Sequence, residues 1–507
     1  MKYGKKIVSL MLTLVMLAAM TLTAGAADGT TYTITVNDTK AGHTYGAYQI
    51  FSGDLSDGVL SNIEWGTGVN GTELLSALKA ADATAYDGCT TAAEVAKKLE
   101  EKKDDAAFVA AFAKVAVNNL NTASATAQVV EDATSCALSN LQAGYYLVKD
   151  TETVTGNDAA TAVILRVVAN VTVSPKSSVP TLTKKVKDFD DAWQDGANYA
   201  IGSHVPFKLT GTMPSTLDTY TTYSYTFHDT LSTGLTFDAN SVKVTLGDQD
   251  ITSSFNVTTE GLADGCSLEV TCANVKGITG VTKDSAIVVE YTATLNEQAV
   301  IAGVGNPNEA HLEFSNNPNG TGTGTGTTPT DKVTVFTFEL VANKVDGDNS
   351  NAALTGAQFT LKKKKADSSY EDVKILGADG TLSAFTFTGL AAGDYRLVED
   401  TAPKGYNSIQ PIDFKVVAVY DKGSADPKLT SLTVEGTNAD ATFTVNKNGQ
   451  GADATFTNIT TQVVNHKGST LPSTGGIGTT MFYVIGAILV VGAAILLITK
   501  RRMSCEK

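Results

Sequence analysis

The sequence predicts a mainly β protein of tandem immunoglobulin-like β-sandwich domains, with helical insertions in the first domain. Short runs rich in Val, Thr, Tyr and Phe, broken by Gly, Asn and Asp, recur along most of the 507 residues. Helical periodicity is confined to residues 91–103 and 104–120. Apolar segments stand at both ends. The chain therefore combines a β body with an N-terminal signal peptide and a C-terminal transmembrane helix.

The N-terminal segment has the three parts of a secretory signal. Lys2, Lys5 and Lys6 precede an apolar stretch over residues 7–22, and the small residues 24–26 follow it. A charged region, an apolar region and a small-residue cleavage site in this order are typical of a signal peptide that is removed on export. We expect residues 1–26 to be such a peptide; the alternative is an uncleaved N-terminal anchor.

The C-terminal apolar segment is long enough to cross a bilayer. Residues 481–498 come close to the ~20 apolar residues that a membrane-spanning helix needs. The basic residues 500–502 mark the cytoplasmic end. We therefore expect a transmembrane helix over 477–499 and a cytoplasmic tail over 500–507. One pentapeptide is thereby held just outside the membrane: Leu471, Pro472, Ser473, Thr474 and Gly475.

This pentapeptide resembles the LPxTG sorting signal of Gram-positive surface proteins. The resemblance implies that a sortase cleaves the Thr474–Gly475 bond and passes the threonyl group to an amine. The expected location is then the cell wall and cell surface, after transient anchoring in the membrane, with peptidoglycan as one acceptor.

Composition limits the function classes. The formal net charge of −15 disfavours nucleic acid as a partner. The chain lacks H-E-x-x-H and G-x-S-x-G motifs, so we expect no enzyme, no cofactor and no metal site. The few histidines look isolated on strands or loops: His43, His204, His228, His311 and His466.

The linkers predict three exported domains. A Pro- and Ser-rich stretch at 175–180 and a Gly-Thr-rich stretch at 316–329 separate them. The expected domains are 27–176, 177–328 and 329–460, followed by an exposed stalk with the sorting signal over 461–475.

Cysteine usage leaves two alternatives. Cys505 belongs to the cytoplasmic tail, and four cysteines remain on the oxidising side. Pairs that stay within one domain are Cys89–Cys136 and Cys266–Cys272, but free buried thiols fit the sequence as well.

An internal repeat links the first and third domains. Residues 397–401 (LVEDT) echo residues 147–151 (LVKDT), each after a Tyr and an Ala-Gly turn. The chemical difference is Glu399 against Lys149. The two domains therefore share a structural unit, of which only the later copy carries an acid.

The later copy lies in a longer motif, YRLVEDTAPKGY, over residues 395–406. It resembles the E-box of sortase-assembled pilins, YxLxETxAPxGY, and departs from it only at Asp400. Residues 343–346 and 455–458 resemble the first and last strands of a Cna-B-type domain.

The resemblance implies that Lys344 attacks the side-chain amide of Asn458, releasing ammonia, with Glu399 as the promoting acid. Burial lowers the pKa of a lysine and raises that of a carboxyl, which makes the first a nucleophile and the second a proton donor. Strand alternation places Leu340, Ala342 and Lys344 on one face of their strand. It likewise places Phe456 and Asn458 together on one face of theirs. The alternative is a solvated Lys344 and an exposed Glu399.

The middle domain gives a similar case. Residues 225–237 and 306–317 resemble the acid-bearing and closing strands of Cna-A-type domains, so we expect a Cna-A-like sandwich. The resemblance implies a bond between Lys184 and Asn308 with Asp229 as promoting acid. The competing residues are Lys185 and Asn306.

The first domain should lack such a bond, because Lys149 stands in place of the acid and cannot donate a carboxyl proton. We expect this domain to be the least stable of the three.

Residues 170–176 (NVTVSPK) resemble the end of the pilin motif WxxxVxVYPK. The chain departs from it at Val167 and Ser174. The resemblance implies that Lys176 accepts Thr474 of the next subunit; the alternative is an ordinary linker lysine.

Taken together, the motifs resemble those of a sortase-assembled major (backbone) pilin. That resemblance implies a covalent head-to-tail polymer of identical subunits. Further expected partners are pilin-specific and housekeeping sortases, minor tip and base pilins, peptidoglycan, and a host or microbial surface ligand that the sequence does not identify. The alternative is a monomeric LPxTG-anchored adhesin or a minor pilin.

Overall fold

The computed structural model describes residues 29–131, 134–152, 154–160, 162–174, 178–188, 192–318, 324–349, 351–421, 423–436, 441–449, 454–468 and 477–503. The described part is mainly β, as the sequence predicts, and forms three successive sandwich domains followed by one long helix. The expected signal peptide, Lys176 and the LPSTG pentapeptide lie outside the described residues.

The first domain holds eight described strands: β1 Tyr32–Asn37, β2 Thr44–Ser56, β3 Val59–Trp65, β4 Thr126–Val129, β5 Ser135–Leu141, β6 Gly144–Asp150, β7 Ala162–Val167 and β8 Val171–Val173. One sheet has the order β5-β1-β8, and the other has the order β3-β2-β6-β7 with β4 paired to β2. Alternating residues of β1 and β2, such as Ile34 and Tyr45, fill the core between the sheets.

Three helices cover the outer face of the larger sheet in this domain: α1 Gly71–Ala81, α2 Ala92–Glu101 and α3 Ala106–Val117. Helices α2 and α3 confirm the two predicted helical segments. Thr91 and Glu94 form a reciprocal capping box at the start of α2. The sequence pattern did not predict α1, which begins after the N-cap Asn70 and buries Leu74 and Leu78.

The middle domain contains fourteen strands among the described residues: β9 Leu182–Lys187, β10 Trp193–Gln194, β11 Gly196–Asn198, β12 His204–Thr212, β13 Tyr225–Leu231, β14 Leu235–Phe237, β15 Lys243–Leu246, β16 Gln249–Asp250, β17 Asn256–Thr258, β18 Leu268–Cys272, β19 Ala286–Leu295, β20 Asn306–Ser315, β21 Thr325–Thr327 and β22 Asp331–Phe336. One sheet runs β10-β9-β12-β19-β15-β16, with β14 on β19. The facing sheet runs β11-β22-β20-β13-β18-β17, with β21 on β20. Single-turn 3-10 helices lie at Thr122–Ser124 in the first domain and at Leu217–Thr219, Thr252–Ser254 and Val275–Gly277 in the middle one.

The C-terminal domain is built from the described strands β23 Phe338–Asp346, β24 Ala352–Ala353, β25 Gln358–Lys364, β26 Tyr370–Leu376, β27 Ala384–Leu390, β28 Gly393–Thr401, β29 Ile412–Tyr420, β30 Leu429–Glu435, β31 Ala441–Asn448 and β32 Thr455–Asn465. One sheet has the order β24-β23-β32-β31, with β27 on β23, and the other has the order β26-β25-β28-β29-β30. The first strand, β23, and the last, β32, are parallel neighbours.

Two expected domain limits are wrong. Strand β22 pairs with β20 and β11 in the middle domain, so the boundary expected at 328/329 lies instead at Thr337, between β22 and β23. The third domain extends to Asn465, because β32 continues through residues 461–465, which were expected to be stalk. Thr337 is a one-residue break between two apolar strands, β22 and β23.

The middle and C-terminal domains are also joined by a buried polar contact. Asn198 donates a hydrogen bond from Nδ2 to the Tyr420 hydroxyl (2.8 Å) and accepts one from the Ala392 amide (2.6 Å). The Tyr420 hydroxyl in turn donates to Asp188 (2.5 Å). The one-residue connection and these hydrogen bonds hold the two domains together.

The last helix, α4, spans Ile477–Met503 and includes an apolar stretch, Met481–Arg502, that is long enough to cross a membrane. This agrees with the transmembrane segment expected over 477–499, and the helix continues through the basic residues that follow it.

Candidate functional site

Lys344 is fully buried in the C-terminal domain. It lies on β23, where Leu340 and Ala342 point into the same core. Its ammonium nitrogen contacts Oδ1 of Asn465 and donates a hydrogen bond to the Val463 carbonyl at 3.0 Å. Because the parallel pairing sets Lys344 beside Val463, the last strand delivers Asn465 to the lysine.

Glu399 completes this cluster from the facing sheet. It lies on β28, with its side chain shielded from solvent. The Asn465 amide nitrogen is 3.1 Å and 3.2 Å from the two carboxyl oxygens, and Lys344 Nζ is 3.5 Å from Oε1. The backbone amide of Ile409 donates to Oε2 at 3.0 Å, and the Asn407 carbonyl accepts a hydrogen bond from Asn465 at 2.9 Å. An amine, a carboxamide and a carboxyl therefore meet inside the core.

The structure does not bring Asn458 to Lys344, so the expected Lys344–Asn458 pair is wrong. Asn458 accepts a hydrogen bond from Asn446 (2.9 Å), and its amide group is 3.5 Å from Glu339. A register shift in the pairing of β31 with β32 falls between the pairs Val445–Ile459 and Lys447–Phe456.

This irregularity changes which face of β32 is buried. Phe456 is buried before it, whereas Ile459, Thr461, Val463 and Asn465 are buried after it. Asn458 therefore falls on the other face, and the alternation that placed it with Phe456 fails at the bulge. The later alternation, which ends on Asn465, is the signal that would have identified the correct residue.

A second buried lysine lies in the middle domain. Lys184, on β9, is fully buried, and its Nζ contacts Oδ2 of Asp229, on β13 of the facing sheet. Desolvation by burial lowers the pKa of Lys184 and raises the pKa of Asp229. Both shifts favour a neutral amine beside a protonated carboxyl, which are the forms needed for nucleophilic attack and proton donation.

Tyr291 connects the members of this cluster. Its hydroxyl donates to Asp229 Oδ2 (2.8 Å) and accepts from Asn308 Nδ2 (2.8 Å), and it lies 3.1 Å from Lys184 Nζ. The sequence motifs did not point to this residue. Its position on β19, in alternation with buried Val289 and Ala293, is the available signal that it faces the core.

Two oxygens of the middle cluster lack hydrogen bonds among the described residues. Oδ1 of Asp229 and Oδ1 of Asn308 are both buried and both unpaired. A proton on Asp229 Oδ1 would convert that atom from an unpaired acceptor into a donor. Protonation of Asp229 would therefore remove one of the two unpaired acceptors.

The two competing residues have other partners. Lys185 is part-exposed and pairs with Asp195. Asn306 accepts a hydrogen bond from the Val300 amide (2.8 Å) and donates to the carbonyls of Val300 and Val335 (3.1 Å each). The structure thus places Asn308, not Asn306, in the cluster with Lys184.

In the first domain the matching position holds a lysine. Lys149 lies on β6, half-buried, and burial lowers its pKa. Strand β6 occupies the place in its sheet that β28 occupies in the C-terminal domain, between two antiparallel neighbours. No described residue of this domain forms a buried lysine–asparagine–acid cluster of the kind seen in the other two.

Of the two alternatives left open for the cysteines, the described cysteines have free thiols and do not form the possible disulfides. Cys89, Cys136, Cys266 and Cys272 are free thiols. Cys89 packs with the helices and Cys136 packs between the two sheets, so they lie in separate cores. Cys272 is at the far end of β18 from Cys266, and four strand residues at ~3.3 Å each exceed the ~7 Å limit for a disulfide.

Three family descriptions match this chain. Residues 177–318 match the Gram-positive pilin backbone subunit 2, Cna-B-like domain. Residues 338–428 match the SpaA prealbumin-like fold domain, and residues 463–504 match the LPXTG cell wall anchor motif. The Cna-A-like class expected for the middle domain is therefore wrong, because the family that matches it is Cna-B-like.

The chain is similar to the trypsin-resistant surface T6 protein of Streptococcus pyogenes serotype M6, with 28% identity over 386 residues. The match covers 64% of this chain and 70% of that protein. The fold resembles the solved T6 backbone pilin of serotype M6 S. pyogenes (TM-score 0.50, 17% identity, 88% of this chain and 100% of that chain). It also resembles the full-length major pilin SpaD of Corynebacterium diphtheriae (TM-score 0.50, 18% identity, 87% and 99%).

The β-sandwich fold, the apolar C-terminal helix and the anchor motif define the chain as a surface protein of Gram-positive type that is anchored in the cell wall. Within that class, its middle and C-terminal domains match a pilin backbone model and the SpaA prealbumin-like model. The chain functions as a major pilin.

Proposed function

We propose that the chain is polymerised head to tail through Thr474 of one subunit and Lys176 of the next. The observation that carries the proposal is the place of Lys176 in the sequence, between the end of β8 at Val173 and the start of β9 at Leu182. A proline precedes it and prevents the strand from continuing. In the sequence the lysine thus falls between two sandwich domains and far from the sorting signal.

The proposed transfer breaks one amide and forms another. A sortase thiolate attacks the Thr474 carbonyl, and the Gly475 amine leaves with the membrane helix. The uncharged Lys176 amine then attacks the thioester and expels the thiolate. One donor and one acceptor per subunit create a heterologous contact, which extends into a filament instead of closing into a pair. The last subunit is transferred to peptidoglycan.

We further propose that the two buried clusters form intramolecular isopeptide bonds, Lys344–Asn465 and Lys184–Asn308. In each, Nζ attacks the Asn Cγ, the amide nitrogen leaves as ammonia, and the acid (Glu399 or Asp229) donates a proton to the amide. The support is the burial of all three groups in each cluster. Lys344 contacts Asn465 directly, and Lys184, Asp229 and Asn308 all contact the Tyr291 hydroxyl. Apart from this single-turnover chemistry, we propose no enzymatic activity.

Each bond closes a long loop and restricts the unfolded chain, as a disulfide does. Lys344 and Asn465 are 121 residues apart. By analogy with a disulfide that closes a loop of this size, the bond would stabilise its domain by about 4–5 kcal/mol.

Polymerisation is tested by expressing the full chain with a pilin sortase and probing cell-wall extracts for an SDS-resistant ladder. Lys176→Arg keeps the positive charge but supplies no attacking amine, so the ladder should disappear. Lys97→Ala, an exposed lysine on α2, is the control and should leave the ladder intact. A ladder that persists in Lys176→Arg contradicts the acceptor assignment. A single band in the unsubstituted chain would favour an anchored adhesin or minor pilin.

A further inference from the structure

A second chemical cluster lies on the outer side of the middle domain, and the pilin chemistry makes no use of it. Its members come from three places: β13, the loop before β18, and β18 itself. They are His228, Asp264, Cys266 and Glu269, here called the His–Cys cluster. The sequence-based expectation that the histidines are isolated is wrong for His228.

The backbone brings these groups together through strand pairing. His228 of β13 is the register partner of Glu269 of β18. The loop before β18 is held to β13, since the Ser267 amide donates to the Asp229 carbonyl at 2.7 Å and the Leu231 amide donates to Ser267 Oγ at 3.1 Å. Asp264 and Cys266 are therefore fixed beside the imidazole by backbone contacts.

The donor atoms lie close enough together that small side-chain shifts would bring them to the spacing of a tetrahedral metal site. His228 Nδ1 is 2.8 Å from an Asp264 oxygen, 3.5 Å from a Glu269 oxygen and 3.9 Å from Cys266 Sγ. Cys266 Sγ is 3.8 Å from the same Glu269 oxygen, and all four donor atoms lie within 4.8 Å of one another. Tetrahedral zinc with Zn–N and Zn–O bonds of ~2.0–2.2 Å and a Zn–S bond of ~2.3 Å places its ligand atoms about 3.3–3.6 Å apart.

We propose that the His–Cys cluster binds one divalent transition-metal ion of the Zn²⁺ class. One imidazole nitrogen, one thiolate sulfur and two carboxylate oxygens are typical of borderline metals, whereas Ca²⁺ and Mg²⁺ select oxygen ligands. The ion would offset the negative charge that the two carboxylates and the thiolate bring to one place.

The surroundings leave room for an ion to enter and position the ring. Asp264 is 38% exposed, Glu269 24% and His228 12%, so the cluster opens toward solvent on the Asp264 side. The His228 ring stacks on His311 of β20 with centroids 4.7 Å apart and planes 4° apart. Nε2 of His228 has no hydrogen-bond partner among the described residues, so its polar contacts lie on the Nδ1 side, toward the proposed ion.

The proposed ion would act on the strand that carries the promoting acid. His228 and Asp229 are neighbours on β13, one facing the His–Cys cluster and the other facing the core. Metal binding would therefore stabilise the loop before β18 against β13, and β13 with it.

The test uses the full chain, purified in detergent under reducing conditions and stripped with a chelator. Titration with Zn²⁺ against a chromophoric competitor should show one tightly bound Zn²⁺ ion per chain. Co²⁺ should give a thiolate-to-cobalt charge-transfer band in the near ultraviolet. Cys266→Ser should abolish that band. It should also lower the affinity for Zn²⁺ by more than the ~10-fold that typically follows loss of a residue hydrogen-bonded to a metal ligand.

His204→Ala is the matched control. His204 contacts Asp238 at 2.7 Å, the same kind of contact as that of His228 with Asp264. Among the described residues, however, no cysteine forms a metal-ligand cluster with this pair. This variant should keep the tightly bound Zn²⁺ ion and the cobalt band. Far-ultraviolet circular dichroism confirms that both variants are folded. Absence of a tightly bound Zn²⁺ ion, or equal binding and an unchanged cobalt band in Cys266→Ser, would overturn the proposal.

Discussion

The middle and C-terminal domains hold the same three chemical groups in opposite arrangements. In the C-terminal domain, the lysine strand β23 and the asparagine strand β32 are parallel neighbours in one sheet, and the acid comes from the facing sheet. In the middle domain, the acid strand β13 pairs with the asparagine strand β20, and the lysine reaches across the core from β9. The proposed bond would thus join two neighbouring strands of one sheet in the C-terminal domain and two facing sheets in the middle domain.

The comparison also separates two ways of positioning the acid. Both oxygens of Glu399 approach the Asn465 amide, and a backbone amide holds one of them. Asp229 instead contacts the lysine and a tyrosine hydroxyl, with one oxygen unpaired among the described residues. The requirement common to both is therefore burial of amine, amide and acid in one place, and not a particular strand order.

The largest expected effect distinguishes the two asparagines of β32. In Asn465→Ala, intact mass should show one ammonia molecule fewer lost than in the unsubstituted chain. The C-terminal domain should lose about 4–5 kcal/mol of stability, by analogy with a disulfide of this loop size. Asn458→Ala is the control and should retain both losses of ammonia. The reverse result would restore Asn458 as the partner.

The two acids should act independently of each other. Glu399→Gln should prevent the C-terminal bond alone, and Asp229→Asn should prevent the middle bond alone, because an amide cannot donate a carboxyl proton. Peptide mass spectrometry after digestion identifies which bond is missing. Asp413→Asn is the control. Asp413 lies in the same sheet as Glu399 but forms an ion pair with Arg396 at the surface, so its substitution should leave both isopeptide bonds in place. Loss of both bonds in either acid variant would contradict independence.

The first domain provides the unlinked reference for this comparison. It should show no loss of ammonia within residues 27–176, because Lys149 replaces the acid. Without the ~4 kcal/mol of a long-loop cross-link, it should be the first domain cleaved by trypsin as denaturant is added. A cross-linked peptide from this domain, or cleavage that begins elsewhere, would count against the prediction.

The smallest expected effect concerns Tyr291. Tyr291→Phe removes a hydroxyl that contacts the lysine, the acid and the asparagine of the middle cluster, but it removes none of the three reacting groups. The isopeptide bond should therefore still form, but about tenfold more slowly, because one hydrogen bond of ~1–1.5 kcal/mol is lost. Pulse-chase labelling followed by mass spectrometry measures this rate. Tyr225→Phe removes another buried hydroxyl of the same domain, which donates to the Thr212 carbonyl, and should leave the rate unchanged.

The sequence was informative where a local pattern decides the structure. Strand runs, the α2 and α3 helices, the membrane segment and the E-box acid all depend on short-range periodicity or on a contiguous motif. Asn465 was missed because a bulge in β32 reverses the buried face, and a one-residue bulge leaves no clear mark in a Thr- and Val-rich strand. The boundary between the middle and C-terminal domains at Thr337 was missed because two apolar strands, one from each domain, follow each other almost directly.

Contacts between distant strands account for the remaining differences. The tyrosine of the middle cluster and the grouping of His228 with Cys266 depend on strand pairing across sheets, which one sequence does not reveal. The choice between disulfides and free thiols stayed open for the same reason, because the sequence assigns two cysteines to one domain but does not show whether they share one core.

The order of the domains along the chain has a mechanical consequence. With Lys176 and Thr474 as the points of attachment, tension enters just before β9 and leaves just after β32. Lys184 and Asn465 stand close to those two points, so the proposed bonds would carry the force past the interior of both domains. The first domain precedes Lys176 in the sequence and would therefore carry no tension between the two attachment points. This is consistent with the prediction that it has no covalent cross-link.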